Sequence, residues 1–459
     1  YMADRYWGNR KSIFVGGLLM AIGQFILFFC ASGDKGAGGF TTTLLWTGLA
    51  FLIFGNGFFK PNISTMVGQL YPENENTKKD SAYTIFYMGI NAGAFIAPLV
   101  CGYLGENVDF KWGFFAAGVG MLISLVVFYF TKDKYVISHT GEQLGVAPNK
   151  LKDNRGEETA IENNEDGSVL RGSPATQKAG GFGPMQIGLS IAAIIGAVLI
   201  LKFVLKVDIW GSLIYGMTLV GPLAILTDTS LSKIEKSRLT VIIIIMLFVI
   251  FFWMCFEQAG ASLTFFAKEQ TDRHVFGWEM PASYFQSFNP IFIVILAPIF
   301  ATMWGALGRK KIEPPAPMKQ AMGLGFLALG FLYISFGTGD GLTKVSIAWL
   351  TGLYFLHTVG ELFLSPIGLS MVNKLTPGRF TSLMMGIWFM AIATGNKLAG
   401  TMSSLYPDPK ATGPKPVFLG ITIDNLHTYF MIFVGFAGAA AIILFLLSFK
   451  LRKMMYGLK

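Results

Sequence analysis

The 459-residue sequence has little charge and few residues that could build a metal or redox site. Only 14% of its residues are Asp, Glu, Lys or Arg, whereas about a quarter are charged in an average soluble domain. It contains four histidines and three cysteines, and Cys30, Cys101 and Cys255 all fall in apolar segments without metal-ligand spacing. Because neither a metal cluster nor a nucleophile–base set is evident, we expect no metal, no cofactor and no enzymatic activity.

Apolar residues dominate the composition instead. They make up 53% of the chain, and the mean hydropathy is +0.54. Runs of about 20 such residues recur, which is the length that a helix needs to cross roughly 30 Å of hydrocarbon. We therefore predict an all-α protein that crosses a lipid bilayer many times. The twelve candidate spans are residues 12–31, 44–70, 83–104, 112–131, 185–206, 209–227, 239–263, 282–304, 318–336, 345–371, 380–404 and 427–449.

The net charge of +9 is distributed in a way that argues against a nucleic-acid partner. The basic residues concentrate in alternate short loops, such as "DRYWGNRK", "KIEKSR" and "GRKK", and in the C-terminal tail "KLRKMMYGLK". Membrane proteins carry this excess on cytoplasmic loops. The charge is therefore an orientation signal, which places the C-terminus in the cytoplasm.

One long polar segment divides the chain. Residues 132–184 are rich in charge and glycine and have few aromatics, so they cannot bury enough surface to fold alone. We predict an N-terminal bundle at 1–131, a cytoplasmic linker at 132–184, an extra helical hairpin at 185–230 and a C-terminal bundle at 231–459. Similar basic loops at 2–11 and 303–311 indicate duplicated halves, as in secondary transporters. Six helices per half would require two more before Tyr1.

Four ionisable residues stand out within the predicted spans: Lys60, Glu257, Glu361 and Lys397. Such groups indicate function by default, because even mild scales assign about 2.5–3.5 kcal/mol to a lysine at the bilayer centre. Lys60 is predicted near the middle of its span, where it is too central to reach the interface. Lys397 lies near the outer end of its span, where we expect it to extend to the interface. Glu257 is open to two readings, a structural ion pair or a functional group.

Polar residues also recur four positions apart, which puts them on one face of a helix. Asn289 adds an isolated amide that is suited either to helix–helix contact or to lining a site. We interpret these positions as faces turned toward the protein interior. The stripes are Tyr87 with Asn91, Trp253 with Glu257, and His357 with Glu361 and Ser365. We expect His357 to be a hydrogen-bonded neighbour of Glu361.

The charges divide between the two predicted bundles. The first offers a cation, Lys60, and the second offers two acids, Glu257 and Glu361. A cavity with one positive and one negative wall suits a zwitterion. We therefore expect a carboxylate to meet Lys60 and an ammonium group to meet Glu361.

Several motifs resemble those of known transporters. "MADRYWGNRK" is similar to the loop motif of the major facilitator superfamily. "GNGFFKPNIST", "FYMGINAGAF", "FWMCFEQAGAS", "SYFQSFNPIFI", "EPPAPMKQAMGLGF" and "GELFLSPIGLS" together resemble the proton-dependent oligopeptide transporter family. The resemblance covers residues 1–131 and 238–450. It implies two pseudo-symmetric helical bundles, with residues 1–131 holding core helices three to six, and a hairpin inserted between the bundles.

The resemblance also implies a function and roles for individual residues. The protein would import di- and tripeptides with protons across a bacterial inner membrane by alternating access. Lys60 would face the peptide carboxylate and couple to protonation, Glu361 would bind the amino terminus, and Glu257 would pair with a basic residue of the first helix and gate closure. Asn91 and Asn289 would bond the peptide backbone. The residues that would line side-chain pockets are Tyr87, Trp253, Ser365 and Trp388.

Other readings of the sequence remain. The same fold could carry nitrate, an amino acid or a drug. Nitrate would leave Glu361 without a partner, and a drug antiporter would not need both Lys60 and Glu361. A structural membrane protein would not bear the cost of so many polar residues in its spans. A channel is disfavoured by the two-half layout.

Overall fold

A computed structural model describes residues 6–33, 38–70, 76–137, 141, 143–146, 184–339, 343–377, 380–407 and 414–456. Most of the predicted linker, from residue 147 to 183, lies outside the described residues. The chain divides into two compact units, Tyr1–Leu170 and Arg171–Lys459. The predicted inserted hairpin belongs to the second unit together with the C-terminal bundle.

The first unit is built from long helices. Its elements are α1 (Gly8–Ser32), α2 (Gly38–Gln69), α3 (Asn76–Ala97), a π-helical turn at Pro98–Gly102, α4 (Tyr103–Asn107) and α5 (Phe110–Tyr135).

The helices α1 and α2 approach each other closely at a pair of glycines. A Cβ added at Gly16 would lie 2.7 Å from the carbonyl oxygen of Gly55, and one added at Gly55 would lie 2.7 Å from that of Gly16. Real Cβ atoms do not come so near to a backbone oxygen. Glycine at both positions therefore sets the separation of the helix that carries Lys60.

Arg10, at the start of α1, ties this unit together at one end. Its Nη1 lies 2.5 Å from Asp133 Oδ1, at the end of α5. Nη2 donates to the carbonyl of Val136 and Nε to that of Leu144, both at 2.5 Å. The guanidinium group can serve several acceptors because it carries five N–H donors. The basic loop motif thus holds the end of α5 and the chain that follows it.

The second unit contains the remaining elements. They are α6 (Pro184–Leu199) with a π-helical turn at Ile200–Val204, α7 (Ile209–Leu226), α8 (Lys233–Phe256), a 3₁₀ turn at Glu257–Gly260, α9 (Ser262–Glu269), β1 (Thr271–Asp272), β2 (His274–Val275), β3 (Trp278–Glu279), a 3₁₀ turn at Ala282–Ser287, α10 (Phe288–Arg309), α11 (Ala316–Phe336), β4 (Val345–Ser346), α12 (Ile347–Leu375), α13 (Thr381–Ser403), β5 (Val417–Phe418), β6 (Ile421–Thr422) and α14 (Leu426–Met454). The strand pairs are β1–β4, parallel, and β2–β3 and β5–β6, antiparallel.

The core of the second unit lies along α8. A capping box between Ser232 and Glu235 starts the helix, which satisfies backbone donors that would otherwise have no partner. Leu239, Ile242 and Phe252 are fully buried along its length. Aromatic side chains of α14 and α11 complete the cluster, which gives the C-terminal bundle a continuous apolar interior.

The hairpin α6–α7 is joined to α13 by two polar contacts. Lys397 Nζ lies 2.8 Å from Asp208 Oδ2, and the hydroxyls of Thr218 and Thr394 are 2.8 Å apart. Asp208 also caps α7 by accepting from the backbone N–H of Gly211. The ammonium of Lys397 thus reaches the turn between α6 and α7, and its extension to the membrane interface stays a prediction.

Eleven helical segments among the described residues are long and apolar enough to cross a membrane. They coincide with eleven of the twelve predicted spans. The remaining prediction, 380–404, corresponds to α13, which is a helix of 23 residues. It is not one of the eleven, and its outer part carries the polar pair Asn396 and Lys397.

Candidate functional site

Lys60 lies on α2, where Pro61 follows it inside the helix. Proline lacks an N–H, so the carbonyl four residues earlier loses its usual backbone donor. Lys60 is exposed within its unit. The helix continues to Gln69, nine residues beyond Lys60, and the central position of Lys60 in the membrane stays a prediction.

Tyr87 and Asn91 share a face of α3, as predicted from their spacing. Asn91 is only 6% exposed, and its Nδ2 donates to the carbonyl oxygen of Tyr87 at 2.9 Å. Asn62 on α2 makes the same kind of bond, to the carbonyl of Phe58 at 2.7 Å. In both cases the amide bonds within its own helix and leaves its oxygen for another partner.

Glu257 marks a break in the chain's longest apolar span. α8 ends at Phe256, and the residues from Glu257 to Gly260 form a 3₁₀ turn before α9 begins. Glu257 is half-buried. No cation in the described part of the second unit pairs with it, so the reading as one half of a structural ion pair finds no support there. Trp253, one turn earlier, packs on Gly395 of α13, where an added Cβ would lie 2.7 Å from Trp253 Cβ.

Gln258 joins this break to two other helices, a role that sequence reasoning missed. Its Nε2 donates to the carbonyls of Met254 and Ala399, each at 3.1 Å. Its Oε1 accepts from Ser262 at 2.6 Å and from the Tyr429 hydroxyl at 3.3 Å. Every hydrogen-bonding group of this fully buried amide is satisfied, as a buried polar side chain requires. The turn that presents Glu257 is therefore fixed to α13 and α14.

The structure brings Glu361 and Asn289 together. Glu361 lies in the middle of α12 and is half-buried, and Asn289 lies in the first turn of α10. Asn289 Nδ2 donates to Glu361 Oε2 at 2.8 Å and to the hydroxyl of Thr358 at 3.1 Å. Thr358 was not among the predicted residues. Its position three residues before Glu361, on the same face of one helix, is the signal that could have found it.

The other members of the predicted α12 stripe behave differently. His357 is 2% exposed, and its ring lies 4.8 Å from that of Phe331 and 6.1 Å from that of Phe256. It makes no hydrogen bond to Glu361, so the expectation that it is a bonded neighbour is wrong. An added Cβ at Gly330 would come within 2.5 Å of its ring, which shows that His357 packs toward α11. Ser365 Oγ is buried and has no partner among the described residues.

Trp388 packs against α12. It is 2% exposed, and a Cβ added at Gly368 would lie 2.5 Å from its Cζ2. In this conformation the ring fills space between α13 and α12, and its role as a pocket wall stays a prediction. Among the residues that the structure describes, no group of three or more His, Cys, Asp or Glu side chains could hold a metal ion.

The chain is similar to known transporters over most of its length. The profile of the POT family matches residues 10–145 and 212–418. The chain is 33% identical to "Peptide transporter YePEPT" of Yersinia enterocolitica, over 87% of this chain and 74% of that protein. It is 28% identical to a "Di-/tripeptide transporter" of Lactococcus lactis, over 88% and 76% of the two chains. A solved POT family transporter in complex with a thioalcohol-conjugated peptide superposes with a TM-score of 0.72 at 28% identity, over 98% of this chain and 83% of that one.

Proposed function

The chain belongs to the POT family, and from this premise we propose that it is a proton-coupled symporter that imports di- and tripeptides by alternating access. The names of its relatives support a peptide as the substrate. The observation that carries the proposal is the half-buried carboxylate of Glu361, held by Asn289 in the middle of an apolar helix. A carboxylate in such a place needs a compensating charge, and the ammonium group of a peptide can supply it.

Lys60 is proposed to face the carboxylate of the peptide and to take part in proton coupling. It follows the glycine-containing segment "GNGFF" within the apolar helix α2. Pro61, the next residue, cannot donate a backbone hydrogen bond to the preceding turn of that helix. Its charge is opposite to that of Glu361. The two residues would therefore recognise opposite ends of one zwitterion, which a nitrate ion or a lipophilic drug does not offer.

Glu257 and Glu361 are proposed to share the proton-coupling and gating steps with Lys60. The described segment Lys233–Glu269 is α-helical except between Glu257 and Ala261, and Glu257 begins this interruption. The surrounding turn is fixed by Gln258, so a change in the charge of Glu257 would act on a defined element. One proton crossing 100 mV releases about 2.3 kcal/mol, which corresponds to roughly fortyfold accumulation of a neutral peptide.

The remaining residues are proposed to contact the backbone and the side chains of the peptide. The amide oxygens of Asn91 and Asn289 are available to accept from peptide N–H groups, because the described bonds of both side chains use only Nδ2. We assign the side-chain pockets to Tyr87, Trp253, Ser365 and Trp388. We also propose a bacterial inner-membrane location with the linker and the C-terminus in the cytoplasm, following the basic loops. The alternative is transport of another solute on the same fold.

Uptake of a labelled dipeptide into proteoliposomes tests the proposal. The purified full-length protein should concentrate the dipeptide when the outside is acidic and should stop when a protonophore collapses the gradient. Nitrate and a free amino acid should compete poorly. Accumulation that is indifferent to the gradient would rule out proton coupling, and transport of nitrate in place of the dipeptide would favour the alternative.

A further inference from the structure

Thr358 and Glu361 both lie on α12, and the side-chain amide of Asn289, from α10, bonds to both of them. The side chain is fully buried. Its hydroxyl donates to the carbonyl oxygen of Tyr354 at 2.7 Å and lies 3.1 Å from Asn289 Nδ2. The same nitrogen lies 2.8 Å from Glu361 Oε2. Three groups from α10 and α12 thus form one short chain of hydrogen bonds.

The number of protons determines the direction of every bond in this chain. A threonine hydroxyl carries one proton, and Thr358 gives it to Tyr354, so its oxygen can only accept from Asn289. An ionised carboxylate also only accepts. The two protons of the Asn289 NH₂ group therefore serve Thr358 and Glu361, one each. A flipped amide would bring its oxygen against two acceptors and lose both bonds.

This orientation leaves two oxygens for a ligand. Asn289 Oδ1 points away from the two acceptors, and neither it nor Glu361 Oε1 has a partner among the described residues. Neither atom belongs to the buried polar atoms that lack a partner, so both are accessible. Two acceptors on side chains that bond each other suit an ammonium group, which has three N–H donors.

We propose that Thr358 is a positioning residue, which fixes the Asn289 amide so that Asn289 Oδ1 and Glu361 Oε1 together accept from the amino terminus of the peptide. This inference rests on the proposed function, because it specifies how the ammonium end is recognised. Thr358 does not contact the peptide. Its hydroxyl instead determines that the oxygen of the Asn289 amide, and not the nitrogen, contacts the peptide.

The test compares Thr358→Val, which keeps the shape but removes the hydroxyl, with Thr358→Ser, which keeps the hydroxyl. Thr358→Val should raise the KM for a free dipeptide about tenfold, the loss of roughly one hydrogen bond to a charged group, with little change in maximal rate. Thr358→Ser should behave like the wild type. An amino-terminally acetylated dipeptide has no ammonium, so its weak competition should be nearly the same for all three proteins.

A threonine elsewhere on α12 provides the matched control. Thr351 Oγ1 donates to the carbonyl of Ile347 at 3.0 Å, four residues earlier, as Thr358 does to Tyr354. The described hydrogen bonds of Asn289 go to Thr358 and Glu361 and not to Thr351. Thr351→Val therefore removes the same local bond without touching the site, and it should leave the KM unchanged. In an Asn289→Ala background, Thr358→Val should have no further effect on KM.

The outcomes separate this inference from the proposed function. If the wild type transports the dipeptide and Thr358→Val has an unchanged KM, the positioning role is wrong while the peptide site stands. An equal loss for the free and the acetylated dipeptide, or a loss that persists in the Asn289→Ala background, would show a purely structural role and overturn the inference. If the wild type binds no dipeptide, the proposed function fails and the inference fails with it.

Discussion

Two asparagines of the first unit bond within their own helices, whereas two amides near the candidate site of the second unit bond between helices. Asn62 and Asn91 each donate to a carbonyl four residues earlier on α2 or α3. Asn289 on α10 donates to two residues of α12, and Gln258, in the turn after α8, donates to α13 as well as to α8. A local bond fixes only a rotamer, while a bond between helices also fixes where the helices lie.

This difference predicts how each unit responds to a ligand. Side chains held by local bonds can exchange them for a ligand at little cost, because the helix itself is undisturbed. A network between helices is organised in advance, so that little ordering is left for the moment of binding. We infer that the second unit supplies a prepared ammonium site and that the first unit supplies residues that adjust.

The largest effect is expected from Lys60, the cation that we assign to the first unit's part of the peptide site. Lys60→Ala should abolish gradient-driven dipeptide uptake, since it removes both the proposed carboxylate partner and a proton-coupling group. Proteoliposome uptake under an inward proton gradient measures this. Lys111→Ala is the control, because Lys111 is a partly exposed lysine at the start of α5, where Asp109 lies 4.0 Å away. A Lys60→Ala protein that still concentrates dipeptide normally would disprove the role.

Glu361→Gln tests the prepared site of the second unit. The glutamine keeps the shape and can still accept from Asn289, but it carries no charge to offer the ammonium. Losing a charged hydrogen bond of about 1.5–3 kcal/mol should weaken the affinity for a free dipeptide roughly tenfold to a hundredfold. Competition assays measure this on both proteins with the free and the acetylated dipeptide.

These four affinities form a double-mutant cycle. The mutation should penalise the acetylated dipeptide far less than the free one, because the acetylated form has no charge to lose. If the losses from mutation and from acetylation simply add, Glu361 does not hold the amino terminus. The contrast between a prepared unit and an adjustable unit would then lose its main support.

How far the sequence predicts this arrangement depends on the distance between partners along the chain. Apolar length is a local property, so eleven of the predicted spans reappear among the described residues as helices long and apolar enough to cross a membrane. Glu361 could be identified because a charge in such a helix is costly. The bonds of Asn289 to Glu361, and of Lys397 to Asp208, join residues far apart in sequence, and no periodicity reveals them.

His357 shows a second reason for error. Four-residue spacing places His357 and Glu361 on one side of α12, but it leaves the direction of each side chain open within a wide arc. The close approach of Gly330 draws the imidazole toward α11, where Phe331 packs on it. A contact with a neighbouring helix thus decided an orientation that the sequence pattern had left undetermined.

An intermediate effect is expected at the glycine contact that supports the Lys60 helix. Gly55→Ala places a Cβ 2.7 Å from the carbonyl oxygen of Gly16, so α1 and α2 must separate. Overpacking of this kind costs about 1–3 kcal/mol. Thermal unfolding of the purified protein should show the loss. The control is Gly57→Ala on the same helix, where an added Cβ meets nothing within 4 Å. Equal stability of the two variants would contradict the close packing.

The smallest effect is expected at the ion pair that joins the hairpin to α13. Lys397, and then the backbone N–H of Gly211, hold the pKa of Asp208 below its usual value by hydrogen bonding. A lowered pKa stabilises the folded state at pH values above the unfolded pKa of about 3.9, and this stabilisation is lost as the pH falls through the lower folded value. The side chain of Asp208 is 50% exposed, so the pair contributes only about 0–1 kcal/mol.

Asp208→Asn should therefore lower the unfolding temperature slightly at pH 7, and by less as the pH falls below the unfolded pKa of about 3.9, with the KM for dipeptide unchanged. High salt should shrink the difference, because exposed charges are screened. Exchanging the charges with Asp208→Lys and Lys397→Asp together should recover part of what either change alone loses. A changed KM in Asp208→Asn would mean that the hairpin acts on the peptide site through α13. Bonds between helices would then govern how the second unit moves as well as how it is prepared for the ligand.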